Sequence, residues 1–88
     1  MAGKFDMIKL LSDQTRFQIL SSLLNFDQLC VSEIEQLLGI KQANTSKHLK
    51  KMKEFGVVKT NRVGNTIYYH LTESFLHDHE GLIRYLLV

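Results

Sequence analysis

The stretch Ile34-Glu35-Gln36-Leu37-Leu38-Gly39-Ile40-Lys41-Gln42-Ala43-Asn44-Thr45-Ser46-Lys47-His48-Leu49 holds two helical patterns separated by a glycine. The first has apolar residues at helical spacing and stops at Gly39, a residue type favoured just past a helix C-terminus. In the second, Thr45, Leu49 and Met52 are four and then three residues apart, so they share one helix face. Two short helices joined by a glycine-containing turn indicate a helix-turn-helix.

Further helices are predicted on the N-terminal side of this stretch. Residues 14–25 carry apolar side chains at helical spacing, and either Ser12 or Asp13 is a suitable N-cap for them. Ser32, with Glu35 three residues on, predicts a capping box at the start of the helix that ends at Gly39. A shorter amphipathic helix is predicted before residue 12 from the spacing of Phe5, Ile8 and Leu11.

On the C-terminal side the pattern changes to strands. Residues 57–60 and 66–71 are rich in β-branched and aromatic side chains, and residues 63–65 can turn the chain, so a β-hairpin is predicted. Thr72 can then cap one last helix from about Glu73 to the end. The expected fold is mainly α with a small β-hairpin, in the order α-α-α-α-β-β-α, which is a winged helix-turn-helix.

Length and composition narrow the function classes. With 88 residues and 44% hydrophobic side chains, we expect one globular domain over residues 1–88 and no enzyme. No apolar run approaches the ~20 residues of a membrane span, and the N-terminus lacks a signal-peptide pattern. The single cysteine excludes a disulfide within the chain and fits a reducing compartment. We therefore expect a cytoplasmic protein with no membrane partner.

The positive charge is concentrated in one quarter of the chain. Residues 41–62 contain seven Lys or Arg and one acidic residue, a net +6, whereas the segments before and after each carry −2. This focused charge favours a surface that binds a polyanion over a merely solvated basic helix. It coincides with the second helix of the helix-turn-helix and the first strand of the wing.

Several of these blocks resemble a known family. Leu11-Ser12-Asp13-Gln14-Thr15-Arg16-Phe17-Gln18-Ile19-Leu20 resembles the L-x-D-x-T-R-h-x-I-L block of the ArsR/SmtB family of bacterial repressors. The stretches Ile34–Gln42 and Ser46–Leu49 resemble its recognition region, and Gly64-Asn65 with Tyr68-Tyr69 fits its wing. The resemblance implies a homodimeric, DNA-binding transcriptional repressor whose first and last helices form the dimer interface. Their apolar side chains are Phe5, Ile8, Leu82, Ile83, Leu86 and Leu87, and the alternative is that these residues only close the core of the monomer.

The front of the recognition helix is expected to contact base edges in the major groove. The amides of Gln42 and Asn44 can pair bidentately with adenine, and Ala43 can contact a thymine methyl group. Lys47 can bind guanine acceptors or phosphate, and Ser46 can serve either purpose.

Other residues of the same surface are expected to bind the DNA backbone or to stabilise the helix. Lys41 and Lys51 lie in the basic segment, where phosphate contact and plain solvation are both open. His48 either packs or contacts phosphate. In the wing, Arg62 and Asn65 can bind the backbone or the minor groove. For the dimer, the operator is expected to be an imperfect inverted repeat of double-stranded DNA.

The effector sites known in the family look incomplete. The arsenic-type site has the form Leu-Cys-Val-Cys, and here Ser32 replaces the second cysteine, so Cys30 alone cannot form it. The last-helix site is matched by Glu73, Phe75 and Leu86, which is not a ligand set. The histidines of His77-Asp78-His79-Glu80 point about 200° apart on a helix, so a shared metal is disfavoured. We therefore predict no metal and no cofactor, and the effector is left open.

A winged helix can also serve as a protein-protein interaction module without a DNA site. Such a module more often presents an apolar or acidic face on its second helix. The basic segment together with Gln42, Asn44 and Ser46 favours DNA.

Overall fold

The computed structural model describes residues 3–87, except for the side chains of Gln42, Leu86 and Leu87. Within residues 3–87, four of the six helices precede the β-hairpin and two follow it. In chain order they are α1 (Lys4–Leu11), α2 (Gln14–Asn25), β1 (Leu29–Cys30), α3 (Val31–Leu38), α4 (Gln42–Glu54), β2 (Val58–Val63), β3 (Thr66–Leu71), α5 (Glu73–Asp78) and α6 (Glu80–Leu87). The predicted class, mainly α with a wing after a helix-turn-helix, is confirmed.

The sheet has one more strand than the sequence predicts. β2 and β3 form the expected antiparallel hairpin, from Val58↔Leu71 to Val63↔Thr66, and β1 adds to the other edge of β3. Gly64 opens the two-residue hairpin turn with a φ of 61°, which glycine adopts without a steric penalty. β1 was missed because two residues leave no alternating pattern, and only pairing with β3 makes them a strand.

The core lies between the helices and the inner face of the sheet. Its buried apolar residues are Met7, Leu10, Leu11, Ile19, Leu20, Leu23, Leu29, Ile34, Leu49, Met52, Val57, Val58, Phe75 and Ile83. In α1 the buried side is formed by Met7, Leu10 and Leu11, whereas Phe5 and Ile8 are exposed. The predicted apolar stripe through Phe5, Ile8 and Leu11 therefore splits between the core and the surface.

Three helix starts are predicted from capping residues, and Thr72 is indeed the N-cap of α5, while the other two differ in outcome. Asp13 is the N-cap of α2: its Oδ1 accepts the backbone N–H of Arg16 at 3.0 Å, and this bond lowers the pKa of the carboxyl. The capping box at Ser32 is wrong, because α3 begins two residues earlier. Glu33 Oε1 accepts the backbone N–H of Cys30 at 2.9 Å, so Glu33 takes the place predicted for Glu35.

The last helix is not continuous, contrary to the prediction. It breaks at His79, which has φ −121° and ψ 29°. Phe75 in α5 and Ile83 in α6 are both buried in the core, so both short helices pack against it. Among residues 3–87, no helix combines the length and apolar character needed to span a bilayer.

Candidate nucleic-acid interface

The turn between α3 and α4 sets the direction of the second helix. Gly39 has a φ of 66°, the left-handed conformation that ends many helices. Its N–H and that of Ile40 donate to the carbonyl oxygen of Glu35 at 2.7 and 3.3 Å. The chain then extends through Lys41 and enters α4 at Gln42. The first helix of the helix-turn-helix therefore ends at Gly39, as the sequence pattern predicts.

The inner face of α4 anchors it to the core. Thr45, Leu49 and Met52 are each 0% exposed, as their spacing predicts. The Thr45 hydroxyl satisfies its donor locally by bonding the carbonyl oxygen of Lys41 at 3.1 Å. Because this stripe is fixed, the opposite face of α4 is held outward.

The outer face of α4 carries most of the predicted contact residues. Gln42 is the first residue of α4, but its side chain lies outside the described part of the chain. His48 is half-buried at the edge of the inner stripe. The remaining predicted residues on and before α4 are exposed: Lys41, Ala43, Asn44, Ser46, Lys47 and Lys51.

The positive charges of this face are not neutralised within the described side chains. The described side chains form two ion pairs, and neither involves α4: His77 pairs with Asp78 at 3.3 Å, and Arg84 pairs with Glu80 at 2.8 Å. The lysines of α4 therefore keep their charge available to an anion. An unneutralised basic helix face is the electrostatic condition for binding a nucleic acid.

The wing places its predicted residues at the tip. Arg62 and Asn65 are exposed, and Arg62 Nε donates to the carbonyl oxygen of Gly64 at 3.1 Å. This bond holds the Arg62 guanidinium beside the turn. At the base of the wing, Lys53 Nζ reaches the hydroxyl of Thr60 at 3.5 Å, so Lys53 connects α4 to the wing.

One residue near this surface was missed by sequence reasoning. Arg16, in α2, has its Nη1 3.1 Å from Nδ1 of His48. The two residues are 32 positions apart in the chain, so no local spacing pattern connects them. The only signal was the presence of Arg16 in the block Asp13-Gln14-Thr15-Arg16.

The candidate effector residues are separated in the structure. Cys30 is half-buried, and its Sγ lies 3.2 Å from the Ser32 hydroxyl. The His79 ring packs against Phe75 with centroids 5.5 Å apart, whereas His77 is exposed beside Asp78. Within residues 3–87 no three His, Cys, Asp or Glu side chains converge as a metal site.

A helix-turn-helix with a basic outer helix, followed by a β wing, defines the winged-helix class of regulators. The chain belongs to the ArsR family of bacterial regulatory proteins, whose family model matches residues 13–60. That segment runs from the N-cap of α2 into β2 and so contains the complete helix-turn-helix. The proteins of this family are transcriptional regulators, which agrees with the prediction of a regulator rather than an enzyme.

Individual relatives agree with this assignment. The chain is 38% identical over 63 residues to the cadmium resistance transcriptional regulatory protein CadC of Listeria innocua, covering 72% of this chain and 53% of that protein. It is 35% identical over 69 residues to the biofilm growth-associated repressor of Xylella fastidiosa, covering 78% and 60%. The chain thus spans about half the length of the first of these relatives.

A solved structure shows the same fold. The crystal structure of the transcriptional repressor BigR from Xylella fastidiosa superimposes with a TM-score of 0.75 at 30% identity, covering 92% of this chain and 82% of that one. The similarity therefore extends beyond the family match at residues 13–60.

Proposed function

We propose that this chain is a sequence-specific, DNA-binding transcriptional repressor that acts in the cytoplasm, with α4 as its recognition helix. The observation that carries the proposal is the outer face of α4. It combines exposed amide, hydroxyl and lysine side chains, and no described carboxylate neutralises its charge. Polar groups that read base edges and cations that bind phosphate are the two components of major-groove recognition.

The proposed contacts divide by chemistry. Asn44, Ser46 and Lys47 are exposed on the front half of α4 and are assigned to base edges, with Gln42 before them in the same helix. The short side chain of Ala43 lets the helix approach the bases closely. The phosphate contacts are assigned to Lys41, His48, Lys51, Arg62 and Asn65.

The repressor is proposed to act as a homodimer through its first and last helices. Phe5 in α1 is 76% exposed and Tyr85 in α6 is 80% exposed, and Ile8 is exposed as well. These exposed apolar side chains on the first and last helices support an interface that a second copy of the chain would cover. Ile83, also expected in this interface, is instead in the core at 7% exposure. Residues 1–88 are proposed to form one domain that contains both surfaces.

A dimer fixes the form of the operator. Two recognition helices related by a twofold axis enter successive major grooves about 34–36 Å apart. The two half-sites must then be inverted copies of each other, one helical turn apart. An inverted repeat is therefore the expected target sequence.

The test is selection of DNA by the purified chain. Several rounds of binding to a random duplex pool, followed by sequencing, should enrich an imperfect inverted repeat. The enriched duplex should bind far more tightly than its scrambled version at the same salt concentration. Failure to enrich any sequence would favour the protein-protein interaction module.

A further inference from the structure

Arg16 joins three helices at one point. Its Nε donates to the carbonyl oxygen of Leu10, near the end of α1, at 2.6 Å. Its Nη1 lies 3.1 Å from Nδ1 of His48 in α4. Both side chains are half-buried, so water competes less for these bonds than it would at an open surface.

The chemistry of the two groups decides which one donates. A guanidinium has only N–H groups and cannot accept, so Nδ1 of His48 must be the acceptor. A neutral imidazole carries one proton, and that proton is then on Nε2. A doubly protonated ring would direct an N–H at the N–H of Arg16 and bring two cations together.

Asp13 lies beside this junction. Its Oδ1 accepts the backbone N–H of Arg16 at 3.0 Å, which is the main cause of the lowered pKa of Asp13, and the nearby Arg16 and His48 side chains add to it. Because this bond uses the backbone of Arg16, the guanidinium stays available for Leu10 and His48.

His48 lies on the side of α4 that carries residues of the proposed DNA surface. His48 lies one turn after exposed Asn44 and one turn before exposed Lys51, on the border of the buried stripe. Among the described contacts its Nε2 has no protein partner. A half-buried N–H donor on this border is placed to meet the sugar-phosphate backbone at the edge of the groove.

We propose that Arg16 is a positioning residue for DNA binding, which holds His48 as the neutral Nε2–H tautomer so that this ring donates a hydrogen bond to a DNA phosphate without carrying charge. The inference rests on the proposed function, because it assigns a role within the same interface. Arg16 lies outside the helix-turn-helix, and its proposed effect on DNA binding is exerted only through His48.

A neutral donor leaves a distinctive signature in salt titrations. A lysine bound to phosphate releases a counterion, so its loss lowers the slope of log affinity against log salt by about one unit. A neutral imidazole releases none. Its loss should weaken binding about three- to tenfold at every salt concentration and leave the slope unchanged.

The experiment is a double-mutant cycle on the full chain with the selected duplex and its scrambled version. Arg16→Met and His48→Ala should each weaken binding to both duplexes by a similar factor without changing the salt slope. The double variant should be no weaker than His48→Ala alone, because Arg16 acts through the ring. Arg16→Lys keeps the charge but cannot make both hydrogen bonds, so it should not restore affinity. Lys51→Met is the matched control and should lower the slope.

Each contrary result has a distinct meaning. Additive losses, or a lower slope in His48→Ala, would overturn the positioning role while leaving the proposed function intact. If the wild-type chain binds no duplex, both proposals are wrong. If the variants do not fold, long-range ¹H–¹⁵N spectra of the wild-type chain give the tautomer directly. A proton on Nε2 of His48 supports the inference, and a proton on Nδ1 overturns it.

Discussion

The hydroxyl of Thr72 donates to the carbonyl oxygen of Gly56 at 2.6 Å and accepts the backbone N–H of Phe75 at 3.1 Å. The buried Thr72 side chain therefore caps α5 and hydrogen-bonds it to the turn that follows α4. Because both bonds are shielded from water, their loss leaves polar backbone groups unsatisfied.

Replacing Thr72 with Val should lower the free energy of unfolding by about 1–3 kcal/mol, since shape is nearly kept while both hydrogen bonds disappear. Urea denaturation followed by circular dichroism measures this change. Thr72→Ser keeps the hydroxyl and is the control, with a smaller loss expected from the missing methyl group. Equal losses in both variants would show that the methyl contact, and not the cap, stabilises this junction.

The N-cap of α2 should make stability depend on pH. The hydrogen bond from the Arg16 backbone lowers the pKa of Asp13 below its ordinary value of 3.8. A carboxyl with a depressed folded-state pKa stabilises the fold fully above its unfolded pKa and loses this effect as the pH falls through the folded one. The contribution should therefore be fully present at neutral pH and decrease as the pH falls below about 4.

Two variants separate the charge of Asp13 from its capping role. Asp13→Asn retains a capping oxygen and should lose little stability at neutral pH, while flattening the acid limb of the stability curve. Asp13→Ala should cost about 1 kcal/mol at neutral pH. Unfolding midpoints at several pH values test both, and an unchanged acid limb in Asp13→Asn would contradict the assignment.

The proposed dimer can be separated from the monomer core by comparing exposed and buried positions. Phe5→Glu and Ile8→Glu place a charge on the exposed apolar side of α1 and should produce folded monomers in sedimentation experiments. Ile83→Glu places the charge in the core and should unfold the chain instead. A wild-type chain that sediments as a folded monomer at tens of micromolar would rule out an obligate dimer.

The interface should divide into residues that read sequence and residues that only add affinity. Asn44→Ala should cost about 1–3 kcal/mol on the selected duplex and little on the scrambled one, because an amide reads two atoms of one base edge. Arg62→Met should weaken both duplexes alike and lower the salt slope by about one unit. If Asn44→Ala weakens both equally, α4 does not read bases through this residue.

Metal should have little effect through the sites known for this family. Cys30 has a hydroxyl neighbour, Ser32, where a second thiolate is needed to bind a thiophilic ion. Zinc or arsenite should therefore leave DNA affinity unchanged, and Cys30→Ser should behave as the wild type. A stoichiometric metal in the purified chain that disappears in Cys30→Ser or His79→Ala would contradict this prediction.

The sequence predicts the helices and strands that are determined by residues close to them in the chain. α2, α4 and the hairpin each have a periodic pattern and an end signal within a few residues, such as Asp13 or Gly64. The elements that were missed depend on distant partners. β1 exists through pairing with Tyr68 and Tyr69. The break at His79 is also absent from the sequence pattern, which predicts one helix from about Glu73 to the end.

The candidate site shows the same division. The outer face of α4 follows from the spacing of Thr45, Leu49 and Met52, because fixing the buried stripe fixes the opposite side. The environment of His48 does not follow from spacing. Its half-burial and its partner Arg16 arise from the packing of α2 against α4, which only the three-dimensional structure provides.

The third strand, β1, supports only the middle part of the wing. Tyr68 and Tyr69 are hydrogen-bonded in a three-stranded layer, with β1 on one side and β2 on the other. Beyond Tyr68, from Arg62↔Ile67 to the turn, the ladder has only two strands. The middle of β3 is therefore held on both edges, whereas the outer part of the wing is held by one ladder of hydrogen bonds. In the proposed complex with DNA, we expect the tip with Arg62 and Asn65 to be the part of the wing that bends to fit the groove, while the helix-turn-helix keeps its shape.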